Sequence, residues 1–538
     1  MSAIQSGMSA RNSATRMCWL ALGSLAMLAC NEPPSTTASQ GAAIPASTHD
    51  GEAIARKYCQ SCHLFVDPSL LPKHVWEQTI IPRMGARLGM HHAGYDYSAA
   101  LSTGRSTQER AIIREAGIYA TKPLVPTQEW EKLVDYLISA APDRLAVDTS
   151  PPKIGLGIEI FQAKTWSFSH DTPTTTLVEI DEERHEVLVG DMLRQSLSVL
   201  DSAGRLKQEL QLGDVPVAVR RQRDQLWITT IGSMVPSDDP KGGVVRYEKA
   251  EDQYRFYPGN RILEKLIRPV YASYADLNDD GIEDIVVSEF GHHMGRFAWY
   301  EGTGTSGTFT RHVLLKEPGS MSSRLHDFND DGLTDLAVIV GQNREGVFIF
   351  INEGDGEFRP SYAVQLPPVY GSSHLGLHDF NDDGFVDLLI TNGDNGDYEA
   401  ILKPYHGIRI YINDGKNAFS EAFFFPQNGA YKAIAEDFDQ DGDLDIASVA
   451  MFADYEHRPQ EGFIYLENQG NLQFEAFSIA QVDEGRWITL DAGDLDGDGD
   501  KDIILGSYVT ALTPVPDRFT TKWQSSRLPV LYLENQLK

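Results

Sequence analysis

The chain has 538 residues, too many for one ordinary core, so two or three domains are expected. With 41% hydrophobic and 10% aromatic residues, most of that length should fold. A net charge of −31 argues against nucleic acid or an anionic membrane surface as partner, and the acidity falls in clusters.

At the N-terminus, Arg11 and Arg16 precede the apolar run MCWLALGSLAMLAC, which has signal-peptide length and is too short to span a bilayer unaided. Its end at Leu28-Ala29-Cys30 resembles a bacterial lipobox, with Met27 where that family usually has Leu; ordinary secretory cleavage nearby is the other reading. The resemblance implies a signal segment over 1–29 and lipidation of Cys30, and Asn31 after it implies the outer membrane. The protein is thus expected to be exported to the bacterial cell envelope and to meet the membrane only through its lipid. Residues 30–50 are mostly Ser, Thr, Ala and Pro; they cannot bury enough surface to offset ordering and read as a flexible tether.

The next segment, 51–145, opens on YCQSCHL, in which Cys59, Cys62 and His63 have the spacing for covalent attachment of one c-type haem. Two thiols one helical turn apart can add to two vinyl groups, and the adjacent His is placed to ligate iron. A zinc site would want a second cysteine pair, and a thioredoxin-type pair a βαβ context; neither is present in the sequence. GEAIARKYCQSCH places Ala53, Ile54 and Tyr58 on one helical face, and TQEWEKLVDYLISA repeats apolar residues at Trp130, Leu133, Tyr136 and Leu137. A helix entering the haem motif and a terminal helix across it resemble the class I cytochromes c. That resemblance implies a methionine ligand from the intervening loop. Met84, in the Pro/Gly-punctuated stretch IIPRMGARLG, is the expected one, with Met90, His91 and His92 still open. A redox partner protein follows from the same resemblance.

After a linker over 146–157, a nine-residue pattern recurs within 158–538, with starts 51, 52, 58 and 57 residues apart. A period of that size means repeated supersecondary units. The copies are DLNDDGIED, DFNDDGLTD, DFNDDGFVD, DFDQDGDLD and DLDGDGDKD. Oxygens at positions 1, 3, 5, 7 and 9 suit a hard cation such as calcium, and Gly at position 6 permits the turn. The ligands read from this spacing are Asp276, Asn278, Asp280, Ile282 and Asp284; Asp327, Asn329, Asp331, Leu333 and Asp335; Asp379, Asn381, Asp383, Phe385 and Asp387. The last two sets are Asp437, Asp439, Asp441, Asp443 and Asp445, then Asp494, Asp496, Asp498, Asp500 and Asp502, with position 7 acting through its carbonyl throughout. Up to five calcium ions are expected; the bland alternative is an Asp/Asn hairpin turn with no ion. An EF-hand is excluded, because position 12 is never Glu and a strand-like run such as DIVVS or DLLIT follows each loop.

Each unit adds a third strand, a Gly-rich turn and a fourth strand, which is a propeller blade. The repeats resemble the FG-GAP/VCBS family, whose calcium-loop blades also build the integrin alpha-subunit head. Five blades carry the loop, and strand signals over 171–268 allow two more without ions, seven in all. The last blade lacks a fourth strand, so closure by Ile158–Phe161 is expected. The expected fold is therefore multidomain, a small all-α cytochrome c domain followed by an all-β seven-bladed propeller.

The face opposite the calcium turns receives long loops and strand starts that carry Arg324, His374, Lys432, Trp487, Tyr405 and His406, a candidate ligand face for a glycan or protein. No nucleophile–base set emerges from the spacing. The leading expectation is an envelope cytochrome that transfers single electrons, with the propeller as binding scaffold. The alternatives are a haem-linked oxidoreductase acting on a carbohydrate-like substrate at the propeller mouth, and an adhesion or glycan-binding module.

Overall fold

A computed structural model describes residues 46–90, 106–146, 150–249, 256–304, 307–396, 400–510, 513 and 515–537. Cys30, His91 and His92 lie outside the described residues. Among the described residues no helix is long and apolar enough to cross a membrane.

The described residues of 46–146 form a small helical region. Its longer described helices are α1 (Ala46–Cys59), α2 (Ile81–Arg87), α3 (Thr107–Glu115) and α4 (Thr127–Ala140). Helix α4 buries Trp130, Leu133 and Leu137, the stripe that the 3.6-residue period marks out. It crosses α1 so closely that a Cβ on Gly51 would lie 2.6 Å from both the Lys132 carbonyl and the Tyr136 Cβ. Tyr58 at the end of α1 donates to Glu129 in the first turn of α4, at 2.8 Å. Met84 stands inside α2, not in a turn: α2 continues without a break from a π-turn over Trp76–Ile80, and Pro82 follows that widened turn.

The rest is a seven-bladed β-propeller. Blades 1 to 7 span 175–211, 216–266, 269–315, 320–365, 372–426, 430–478 and 487–535. The inner strand of each blade contacts those of both neighbours, and Trp487–Gly493 of the last meets Thr175–Asp181 of the first, so the ring is closed. Second strands such as Asp284–Glu289 and Asp387–Asn392 are buried at every position, whereas fourth strands such as Phe358–Gln365 alternate towards solvent. The core therefore lies between blades. Val286, Phe297 and Trp299 of blade 3 pack on Leu336, Val338 and Phe350 of blade 4, and Val178, Val187 and Val189 of blade 1 on Leu495, Ile504 and Tyr532 of blade 7.

Closure is made by Phe161–Lys164, antiparallel to Val530–Asn535 with Phe161 opposite Asn535 and Lys164 opposite Tyr532. That is three residues later than Ile158–Phe161. The chain turns at Ile158, whose carbonyl accepts the Phe161 N–H and whose side chain is buried between blades 6 and 7. A further strand, Gly155–Leu156, adds to the outer edge of blade 6, parallel to Phe477–Ser478, within the stretch expected to be a linker.

Blades 1 and 2 lack the aspartate loop. In blade 1 the corresponding turn is met by a cation from the inner strand of blade 2: Arg221, nearly buried, bonds Asp181 at 2.6 Å and Glu186 at 2.5 Å, and Lys207 also pairs with Glu186.

Candidate functional site

The CQSCH motif sits where α1 ends. Cys59 closes the helix and is half-buried, Cys62 is exposed, and the two thiols are not joined in a disulfide. Burial, and then the neighbouring Cys62, pushes the Cys59 thiol up to about 11. His63 Nδ1 donates to the Leu64 carbonyl at 2.8 Å, which leaves Nε2 as the unprotonated nitrogen. Burial, and secondarily the Arg87 guanidinium, holds His63 below its ordinary range. Arg87 lies one turn from Met84 on α2, so this helix is the one whose charge reaches the motif. Met84 is half-buried. Met90, by contrast, is 5% exposed and belongs to the hydrophobic core with Trp76, Ile81 and Trp130.

The helical region is docked on the propeller face that carries the loops between second and third strands. Its hydrophobic core continues into the propeller through Val369 and Tyr405, which join Leu71, Val75 and Trp76. The Tyr405 hydroxyl donates to the Leu70 carbonyl at 2.9 Å, and its ring stacks on Tyr370 with centroids 4.6 Å apart. A second, polar seat lies at blades 2 and 3. Tyr119 donates to His293 Nε2 at 2.9 Å, His293 Nδ1 donates to Asp238 at 2.9 Å, and Ser106 donates to Asp239 at 2.7 Å. Asp238 also accepts the N–H groups of His292, His293 and Met294. Its burial would raise its pKa, but His293 and those amides hold it down to about 2.

The six residues assigned to an external ligand face thus separate. Tyr405 lies under the helical region, and His406, 1% exposed, is buried edge-on to the Tyr405 ring. Trp487 is core, fully buried with its indole N–H on the Val482 carbonyl at 2.8 Å, because its side chain points between blades rather than into the mouth. Arg324, His374 and Lys432 do converge, on inner strands around the central channel. Arg324 donates to His374 Nε2 at 2.9 Å, and burial, then Arg324 and Lys432, keeps His374 well below its ordinary pKa and neutral. Burial likewise lowers Lys432, against the pull of Asp491 and Glu179. Glu179 is pushed up to about 8, first by burial and then by Asp491. Among the described residues Arg324 has no carboxylate within ion-pair distance.

On the opposite face, five turns join inner and second strands, and each wraps its first aspartate around the turn. Asp276, Asp327 and Asp379 accept the N–H of Gly281, Gly332 and Gly384 at 2.8, 2.7 and 2.8 Å. These glycines have φ of 80°, 85° and 87°, the left-handed conformation the turn requires. The ninth positions do more than the spacing suggested. Asp284, Asp335, Asp387, Asp445 and Asp502 are fully buried and accept the N–H of Gly302, Asn352, Asn413, Asn468 and Asn535 at 2.6 to 2.9 Å. They staple each turn to the end of the third strand. Sequence reasoning missed those asparagines, although INEG, INDG and LENQ recur at matching places. Asn352 and Asn535 also donate across to the preceding blades, to the carbonyls of Leu277 and Phe438.

Acidic clusters stand out in two turns, Asp437–Asp439–Asp441 and Asp494–Asp496–Asp502, where carboxylate oxygens come within 4.8 Å of one another. Burial and the neighbouring carboxylates push Asp500 and Asp445 up to about 7. This is an oxygen-donor set for a hard cation.

The FG-GAP-like repeat matches residues 276–338, 327–390, 379–448 and 437–505. Among solved structures the chain is similar to Sqt1 of Saccharomyces cerevisiae, at 9% identity over 67% of this chain and 84% of that one, with a TM-score of 0.42. It is also similar to the periplasmic gluconolactonase of Pseudomonas aeruginosa, at 13% identity over 56% and 85%, with a TM-score of 0.39. Likeness at this level says nothing of what this chain does. The residues that match the FG-GAP-like repeat, 276–505, run from blade 3 into the second strand of blade 7 of a seven-bladed β-propeller.

Proposed function

We propose that the protein is an electron-transfer protein of the bacterial cell envelope, in which the helical region holds one haem c and the propeller fixes how that haem is presented. The observation that carries this reading is the state of the motif. Cys59 and Cys62 are free thiols one turn apart, and His63 is locked through Nδ1 with Nε2 available. The residues fit the group: both thiols could form thioethers with it, and His63 Nε2 and the half-buried Met84 could ligate its iron. Met90 is the poorer candidate because its side chain already fills the core. When bound, the haem supplies one-electron exchange.

The chain's own residues do the rest. The Leu64 carbonyl fixes the His63 tautomer and raises its basicity as a ligand. The stacked Tyr405–Tyr370 pair and the Tyr119–His293–Asp238 chain hold the helical region on the propeller while Cys62 stays exposed, so docking does not cover the motif. The propeller mouth is thereby engaged, at least in part, by the chain itself rather than by a glycan. The partner is then a soluble or membrane-bound redox protein that approaches the exposed motif. Calcium in the aspartate turns would neutralise carboxylates that otherwise repel one another. Lipidation at Cys30 would keep the assembly at the outer membrane.

The test is a set of reduced-minus-oxidised absorption spectra of protein matured in an export host, mixed in turn with envelope redox proteins and with sugars. Reduction of a c-type band by a protein donor and by no sugar is the expected result. Reduction by a sugar alone would favour a substrate-oxidising enzyme instead.

A further inference from the structure

The five aspartate turns differ in ways that matter to a cation. In the first three, position 3 is Asn, and its amide is already engaged inside the turn. Asn329 donates to Asp331 and Asn381 to Asp383, each at 2.9 Å, and Asn278 to Asp280 at 3.3 Å. With Asn at position 3 and apolar Ile282, Leu333 or Phe385 at position 7, only the aspartates of positions 1, 5 and 9 bring carboxylates to each centre. In the last two turns Asp stands at all five odd positions.

Ionised carboxylates cannot satisfy one another, and although backbone N–H groups serve several oxygens of these two turns, four buried ones are left without partners. Asp500 is 3% exposed, and neither of its carboxylate oxygens has a hydrogen-bond partner. Asp437 Oδ1 and Asp443 Oδ1 are buried in the same condition. Among the described residues, only these two turns hold three carboxylates with oxygens within 4.8 Å of one another.

We infer that the calcium sites fall into two classes, with the turns of blades 6 and 7 filling first and binding more tightly than those of blades 3, 4 and 5. This rests on the calcium reading proposed above. Affinity in oxygen-ligand loops rises with ligand charge and with how far the site is already formed. An ion entering blades 6 and 7 replaces carboxylate repulsion by attraction and gives orphaned oxygens a partner. An ion entering the other three meets a neutral amide oxygen at position 3 in place of a carboxylate.

The placement of the tighter pair has a structural consequence. Glu182 of blade 1 accepts the Asp494 N–H at 2.9 Å across the seam between the last blade and the first. Asp502 accepts the N–H of Asn535, on the strand that carries the closing strand. A tightly held ion in the last turn braces the join that closes the ring.

The experiment is calorimetric titration of the chelator-stripped full chain with calcium chloride, with folding checked by near-ultraviolet circular dichroism. The expected result is two tight equivalents and three weaker ones, separated by about tenfold or more in Kd. Asp441→Asn and Asp498→Asn should each remove one tight equivalent, and Asp331→Asn should leave both. A gain-of-site variant, Asn329→Asp with Leu333→Asp, should add a third tight equivalent, which keeps the inference testable if a loss variant misfolds. Five indistinguishable sites, or tight binding that survives both loss variants together, overturns the two-class inference while leaving calcium binding standing. A folded chain that takes up no calcium overturns the calcium reading as well.

Discussion

The hydroxyl of Tyr405, in a propeller loop, donates to the main-chain carbonyl of Leu70, in the helical region, across 2.9 Å. This bond closes a continuous apolar contact, since Tyr405 and Val369 share one core with Leu71, Val75 and Trp76. Tyr405→Phe should cost about 1 kcal/mol through the lost hydrogen bond. Tyr405→Ala should cost about 3–5 kcal/mol by opening a cavity. Amide hydrogen exchange is the measurement. Protection should fall across 68–90 in Tyr405→Ala while blades 1 and 7 keep theirs; a uniform loss over all blades would contradict a local docking role.

Gly51 lets α1 and α4 cross at close range. Ala normally favours a helix interior by about 1 kcal/mol over Gly. Here an added Cβ would meet the Lys132 carbonyl and the Tyr136 Cβ at 2.6 Å. Gly51→Ala should therefore be destabilising, by about 1–3 kcal/mol, and thermal unfolding followed at the helical signal should show it. A stabilised variant would mean that the helices part easily.

Much of the ring was legible in the sequence, because each blade repeats one turn and one strand pattern, and a repeat marks every copy. The docking was not, because Tyr405 and Leu70 are 335 residues apart and nothing local records their meeting. Pro82 and Gly85 around Met84 point to a turn, yet Pro82 follows a π-turn inside a helical run and Gly85 lies against the Trp130 ring, where a Cβ would come within 3.1 Å. Trp487 was placed at the mouth by its position at a strand start, but side-chain direction there depends on strand register. Helix α5 (Asp517–Ser526), inside the blade 7 loop, went unread although Phe519 and Trp523 stand one turn apart and pack on Tyr455.

Arg221 serves blade 1 as the internal cation that the aspartate turns lack. Arg221→Met would leave Asp181 and Glu186 facing each other with only Lys207 and the longer Arg184–Asp181 pair beside them. Removing one partner of a buried ion pair costs about 3–5 kcal/mol. Denaturant unfolding should show a loss of that order, insensitive to calcium. A loss that calcium restores would show that the turn can bind an ion after all.

Glu345 gives a pH signature with a definite sign. It is 1% exposed, its Oε1 accepts the N–H and hydroxyl of Ser372, and its Oε2 has no partner. Burial, only partly offset by Ser372 and Lys403, raises its pKa from 4.5 to about 8. A carboxyl raised in the folded state lends stability below its unfolded pKa and loses it as pH climbs through the folded one. Glu345→Gln should therefore be near neutral at pH 5 and stabilising at pH 8, relative to the parent chain at each pH. Equal effects at both pH values would mean that Glu345 is ionised throughout.

Covalent haem on Cys59 and Cys62 is tested most directly by intact-chain mass spectrometry of protein exported by a host competent in c-type maturation. The expected result is a mass increase of one haem that survives denaturation and is lost in the Cys59→Ala, Cys62→Ala variant. An unmodified mass, with both thiols open to alkylation, would contradict it.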